Sequence, residues 1–345
     1  MATLEGIGRI CAQASGDRVL RSAVLAGLRR AVPFDSYAWL LTDPETCVGT
    51  APLAEFPNLG DLPTLVRLKY LTATNRWTAL VPGTASTLLT ATGGEPSRSR
   101  VWRELLAGYG ITDIASLVFG DQFGCWGWLD LWRTTGPFSP AEVDLLGGLD
   151  RLVTPALRRS LAATFTNAPT APSRAVEPVV LILSEDLQPI TQTPSVDTHL
   201  RALLPTDTDR APIPAAAYNA AAQLLAREQD IDDHPPSART HLSDGAWVTV
   251  SAARLVPSPT GTTGIAVSIE PTTSTARAEL FARVIGLSQR ESELLAHLVV
   301  GSDTRQLAQL MFLSEHTVQD HLKSIFAKAD VRNRRQLVAR ATGLR

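Results

Sequence analysis

From Ser314 to Arg335 the chain sets hydroxyl, amide, imidazole and basic groups at helical spacing. Val318, Leu322 and Ile325 recur at i, i+4 and i+7, an apolar stripe that has to face a core. The opposite stripe is His316, Gln319, Asp320, Lys323 and Ala327, with its hydrogen-bonding groups in the first two turns. A helix of that kind fits the DNA major groove, where its N-terminal residues meet base edges. Ser314 caps the helix and Thr317 opens it, where hydroxyl and backbone N–H groups favour a phosphate. Lys323 has the reach of a guanine edge or a phosphate, and Lys328, Arg332, Arg334 and Arg335 extend the basic footprint. The expected DNA-facing set is Ser314, His316, Thr317, Val318, Gln319, Asp320, Lys323, Lys328 and Arg334. Asp320 either accepts a hydrogen bond from cytosine or repels phosphates.

The remaining chemistry-bearing residues have plainer readings. Trp39, Trp77, Trp126 and Trp128 are candidates for the wall of a small-molecule pocket. However, Trp126, Trp128 and Trp132 share strand parity, which favours packing on one face of a sheet. Cys125 has no adjacent basic residue and reads as a buried structural thiol. Asp232, Asp233, His234 and His241 surround Pro235-Pro236 with no metal-ligand spacing and read as a solvated acidic turn. His321 lies near the packing side of its helix, as a core residue or phosphate contact. No nucleophile–base constellation, carboxylate pair or metal triad emerges, so neither an enzyme nor a cofactor is expected.

The elements that would position these residues fall into three segments. At 345 residues, 44% hydrophobic and 19% charged, the chain suits two or three domains with cores of their own. Its net charge of −2 hides a distribution: residues 1–176 carry +1, 177–276 carry −7 and 277–345 carry +4. An acidic middle segment is therefore a candidate cover for its basic neighbour. Three scattered cysteines and the lack of a signal core or an 18-residue apolar run point to a reducing, cytoplasmic setting without membrane contact.

Residues 1–162 mix helices (Val19–Val32, Asp61–Tyr70, Ser99–Tyr109) with strands (Ser36–Thr42, Ile114–Phe119, Gly124–Arg133). Ser139 and Glu142 box the start of a closing helix to about Leu161. Ala163–Pro178 reads as a linker. Residues 179–270 form a second small unit, with strands at Val179–Leu183, Pro189–Gln192, Ala246–Leu255 and Gly264–Ile269 and a helix at Tyr218–Glu228. A polar stretch from Pro271 joins it, by about residue 280, to an all-helical unit at 281–345. Ser288, Asp303, Ser314 and Asn333 cap the four short helices of that unit. The expected fold class is a multi-domain α+β chain: two antiparallel-sheet, sensor-like domains and a four-helix helix-turn-helix domain.

Leu287, Arg290-Glu291, Leu294-Leu295, Gly301, Leu307-Ala308, Met311, Leu313-Ser314-Glu315, Thr317-Val318, His321-Leu322, Ile325-Phe326, Lys328, Val331 and Asn333-Arg334 carry a resemblance. Together they make Leu287–Val338 similar to the helix-turn-helix domain of LuxR/GerE-type transcriptional regulators. The resemblance implies a recognition helix at Glu315–Lys328 and a dimerisation role for Asn333–Ala341. Gln319 stands where the family commonly has lysine. The tract Gly110–Arg133 with its closing helix resembles GAF-type sensor domains, and residues 179–270 resemble a short PAS-like fold. Arg76–Leu80 and Phe123–Arg133 are similar to tracts of actinobacterial regulators of this family. The implied protein is a one-component regulator: a homodimer on double-stranded DNA, with RNA polymerase and a small-molecule effector as partners. The competing readings are a sigma-factor-like promoter contact and an interaction protein whose helix-turn-helix no longer binds DNA.

Overall fold

The computed structural model describes residues 2–166, 179–194, 215–242, 246–256 and 263–343. Two five-stranded sheets and a C-terminal helical domain make up the fold, all strand pairs being antiparallel. In the first, β1 (Ser36–Thr42), β2 (Gly49–Glu55), β3 (Ala85–Thr87), β4 (Asp113–Asp121) and β5 (Gly124–Arg133) take the order β2-β1-β5-β4-β3. In the second, β6 (Val179–Leu183), β7 (Pro189–Gln192), β8 (Ser237–His241), β9 (Trp247–Arg254) and β10 (Ile265–Pro271) take the order β7-β6-β10-β9-β8.

The helices are α1 (Ala2–Gln13), α2 (Asp17–Leu28), α3 (Leu62–Leu71), α4 (Leu88–Ala91), α5 (Arg100–Glu104), α6 (Pro140–Gly147) and α7 (Asp150–Thr164). After the first sheet unit come α8 (Ala215–Glu228), α9 (Ser274–Val284), α10 (Gln289–Val299), α11 (Thr304–Met311), α12 (Glu315–Ala329) and α13 (Arg334–Thr342). Single-residue effects explain several departures from the expected elements. The closing helix breaks into α6 and α7 at Gly147-Gly148, and a Cβ at Gly147 would sit 3.0 Å from the Gly83 carbonyl oxygen. The Ser99–Tyr109 helix is interrupted at Leu105 (φ −137, ψ −60) and continues as a short 3₁₀ turn. Helix α7 runs through the first two residues of the expected linker at 163–178, whose residues 167–178 lie outside the described residues, as does most of the loop at 257–263. The polar stretch from Pro271 is no extended linker, because β10 ends at Pro271 and α9 begins at Ser274, capped by Thr273.

A bulge in β5 overturns the expected tryptophan stripe. Phe119 pairs with Gly127 and Gly120 with Cys125, so Trp126 is the extra residue and strand parity reverses across it. Trp128 and Trp132 pack with α3, while Trp126 joins Leu129 and Leu131 against α7. Trp39 stacks on Phe119 at 5.2 Å on that α7 side, and Trp77 stacks on Trp128 at 5.3 Å on the other. All four candidate ligand tryptophans are at most 3% exposed. They are divided between two cores and do not form one cage.

Helix α8 is buried along Ala215–Ala226 on every side. It lies between the second sheet and the α3 and β2 elements of the first, and seven alanines keep the layers close. At Gly49 a Cβ would stand 2.8 Å from Asn219 Oδ1. Arg239 of β8 crosses the same boundary: its Nε lies 2.7 Å and its Nη2 2.8 Å from the two oxygens of Asp43. Nη2 also meets Glu45 at 2.8 Å, and Nη1 donates to the Ala276 carbonyl at 3.2 Å. Asp43 is 1% exposed. Removing the guanidinium strands a buried carboxylate, so Arg239→Ala is expected to lower the unfolding free energy by about 3–5 kcal/mol, read as a reduced urea midpoint.

Candidate nucleic-acid interface

Local chemistry fixes each helix of the C-terminal domain. Ser288 with Glu291 and Asp303 with Gln306 form capping boxes, and Ser314 and Asn333 accept from Thr317 N and Gln336 N. Phe312 closes α11 in the left-handed region (φ 55) and turns the chain into α12. Leu307, Met311, Val318, Leu322, Ile325 and Leu337 meet in a core continuous with Phe281 and Leu287. Helices α11 and α12 thus form a helix-turn-helix with the α12 outer face in solvent.

The side chains of His316 and Lys323 are 84% and 72% exposed on that face. Asp320 stands between them, 3.1 Å from Lys323 Nζ and 3.6 Å from His316 Nε2. The Lys323 hydrogen bond and charge draw its carboxyl below the ordinary aspartate range. Asp320 stays ionised and pairs with Lys323 on the surface, which softens the repulsion of phosphates expected from its sign. Gln319 Nε2 reaches Thr304 Oγ1 at 3.5 Å, bringing the start of α11 beside the α12 face. Ser314 and Thr317 share a 2.8 Å hydroxyl contact at the helix entry.

Three expected members of the set are placed differently. Val318 is 0% exposed and leaves the outward face, because it belongs to the i, i+4, i+7 stripe. Lys328 Nζ lies 2.6 Å from Glu291 Oε2, and Arg334 donates to the Ser302 carbonyl. Both hold the domain together, and their charges are engaged within it. Glu291 is the centre of the first contact, accepting also from Ser324 Oγ at 2.6 Å and Ser288 N at 2.7 Å. Burial opposes its charge, but Lys328, Ser324 and Ser288 outweigh that and hold its carboxyl at about 2. Sequence reasoning missed Arg305, exposed in the first turn of α11. The signal was available, since the first helix of this motif crosses the DNA backbone. Among the described residues of the acidic segment 177–276, none is paired with the exposed α12 side chains; its residues 177–178, 195–214, 243–245 and 257–262 lie outside the described residues.

Residues 286–341 match the family model of bacterial regulatory proteins, luxR family. The C-terminal domain is a LuxR-type helix-turn-helix domain. Over 53 residues the chain is 42% identical to the probable csgAB operon transcriptional regulatory protein of Salmonella typhimurium and to the CsgBAC operon regulator of Escherichia coli. It is 36% identical over 53 residues to the transcriptional regulatory protein LnrK of Bacillus subtilis. Each match takes 15% of this chain, and the chain spans 24% of the length of these curated relatives. Among solved structures, Escherichia coli SdiA aligns over 99% of this chain and 98% of its own, at 12% identity and a TM-score of 0.35. A Vibrio cholerae VqmA dimer structure aligns over 48% of this chain and 82% of its own, at 18% identity and a TM-score of 0.20. No helix among the described residues is long and apolar enough to cross a membrane.

The LuxR-type domain's dependence on Glu291 is testable by pH. A depressed carboxyl contributes stability that is complete above its ordinary value of 4.5 and lost as the pH falls through about 2. Glu291→Gln is expected to cost about 2 kcal/mol at neutral pH. In melts taken from pH 7 downward, the gap from wild type should close below 4.5 and not above it.

Proposed function

We propose that this chain is a sequence-specific DNA-binding transcriptional regulator that reads the major groove with α12. The observation that carries the reading is the division of that helix. One stripe is sealed into a LuxR-type core, and the other presents His316, Gln319, Asp320 and Lys323 to solvent. Ser314 and Thr317 at the helix entry and Arg305 on α11 are placed for phosphate contacts. Lys328 and Arg334 act indirectly, by fixing α12 and α13 against α10 and the α10–α11 turn. One short helix reads too few base pairs for useful discrimination, so the working form is a homodimer on two half-sites. RNA polymerase is the downstream partner of such a regulator.

The two sheet units are the sensing part in this reading. A cavity of about 480 Å³ lies where the first sheet unit meets α9 and α10, lined by Glu45, Phe123, Glu279, Arg283 and Leu295 among others. It is a better seat for a small-molecule effector than the tryptophans, which are packed in the cores. The loss-of-binding alternative rested on Asp320 and Gln319; against it, Lys323 Nζ lies 3.1 Å from the Asp320 carboxylate and Gln319 remains on the exposed face.

The test uses a duplex selected from a random-sequence library by the full-length chain. Lys323→Ala is expected to weaken binding by about 1–3 kcal/mol and to reduce the salt slope by about one. A titration in which Lys323→Ala binds like wild type would remove α12 as the reading helix. Failure to select any duplex at low salt would remove the DNA-binding reading itself.

A further inference from the structure

The cavity behind the β4–β5 hairpin has a floor and a rim of different chemistry. Helix α9 turns Ala278, Glu279, Ala282 and Arg283 toward it, and α10 turns Leu295 and Val299. Ala278, Ala282 and Leu295 are buried and make an apolar floor between the two helices. Glu279, with its side chain 56% exposed, stands at the mouth. At about 480 Å³ the space is in the range that holds a small organic molecule.

Three charged side chains line this space: Glu45, Glu279 and Arg283, a sum of −1. Two of them are engaged with each other. Arg283 Nη2 lies 3.3 Å from Glu45 Oε1, and its Nη1 donates to the Phe123 carbonyl at 3.3 Å. The second oxygen of Glu45 accepts from Arg239 Nη2 at 2.8 Å. Glu279 is placed otherwise. Among the described residues its ion-pair partner is Arg239 Nη1 at 3.8 Å, beyond hydrogen-bond reach. That nitrogen already donates to the Ala276 carbonyl, and the rest of the fork is taken by Asp43. Arg158, over the Phe123 ring, is paired with Asp121 at 2.7 Å and brings no free cation. The uncommitted charge at the cavity is therefore a carboxylate.

We infer that this cavity takes a monocationic amphiphile, an ammonium group paired with Glu279 on an apolar body that covers Ala278, Ala282, Leu295 and Val299. The inference rests on the reading of this cavity as the effector seat and adds the class of molecule that fills it. It does not depend on the DNA-binding reading.

Charge complementarity decides between the ligand classes, and apolar burial does not. A neutral amphiphile gains the burial alone. An anion gains it against the Glu279 carboxylate, with Arg283 already engaged. A cation gains both the burial and the pair. Since Glu279 is more than half in water, the pair by itself is weak, so the body supplies most of the affinity and the carboxylate selects the head group. Arg239 does not repel the ammonium strongly, because Asp43 takes its fork in both oxygens. A body in this position touches α9, α10 and Phe123 together. It would fasten the hairpin to the two helices that lead into the helix-turn-helix.

The test is isothermal titration of the full-length chain at neutral pH with hexylamine, hexanol and hexanoate, which share one apolar body. Hexylamine is expected to bind about fivefold tighter than hexanol, and hexanoate to bind weakest. Glu279→Gln, at an exposed position, should lower hexylamine to the level of hexanol and leave hexanol unchanged. Ser292→Trp, which sets a bulky ring in the lining, should weaken both. If hexanol or hexanoate binds as tightly as hexylamine, or Glu279→Gln keeps the preference for the amine, the cationic class is wrong and the seat stands. Binding that Ser292→Trp leaves intact would lie elsewhere and overturn the inference. If none of the three binds, the effector seat falls with it.

Discussion

The ion pair between Arg239 and Asp43 fixes how the parts of this chain sit together. Burying both charges costs several kcal/mol per ion, and the cost is offset only when each hydrogen-bonding position is filled. Here the fork of Arg239 takes both oxygens of Asp43, one of Glu45 and the Ala276 carbonyl. Asp43 also accepts from the backbone N–H groups of Glu45 and Arg239. One guanidinium from the second sheet thus binds the β1–β2 turn of the first sheet and the start of α9. Sliding any of the three past the others would leave a charge unpaired in the interior, which apolar packing alone would not forbid.

Apolar packing spreads across the same boundaries. Phe165 at the end of α7 meets Trp247 of β9 at 5.0 Å and Phe281 of α9 at 5.2 Å. Arg277 lies over the Phe165 ring at 4.7 Å and donates to the Arg340 and Ala341 carbonyls at 2.6 and 2.8 Å. Those carbonyls are at the C-terminal end of α13, where a cation complements the helix dipole. Burial draws the Arg277 guanidinium down to about 10, still well charged at neutral pH. A small displacement of α7 or β9 is therefore felt at the last helix of the domain through one ring and one side chain.

The parts legible in the sequence are those whose partners lie within a turn or two. Capping pairs such as Ser288–Glu291 and Asp303–Gln306 are three residues apart, and the Val318, Leu322, Ile325 stripe repeats within one helix. The two sheets were readable as alternating runs, but β3 has only three residues, and β2 (GTAPLAE) and β8 (SARTH) lack the alternating β-branched and aromatic residues that mark a strand. What could not be read depends on register between distant segments. The bulge at Trp126 reverses a parity that the strand pattern alone predicts. Lys328 looked like a free cation because Glu291, 37 residues away, is brought to it only by helix packing. Asp232 and His234 looked solvated because the partner that holds them, Gln223, comes from α8.

The arrangement constrains how any signal would reach DNA. Among the described residues the outer face of α12 is in solvent, and the described parts of the N-terminal units do not cover it. In the proposed homodimer, control acts through where the two α12 helices stand relative to each other, since half-site spacing is a geometric requirement. The lever for that is α9, held by Arg239 at its start, by Phe165 and Arg277 along its length and by Glu45 through Arg283 near its end. The cavity beside Glu45, Glu279 and Arg283 borders the turn and hairpin that brace this helix. An effector bound there would bias this element, because a packed helix with charged ties moves as a unit or not at all.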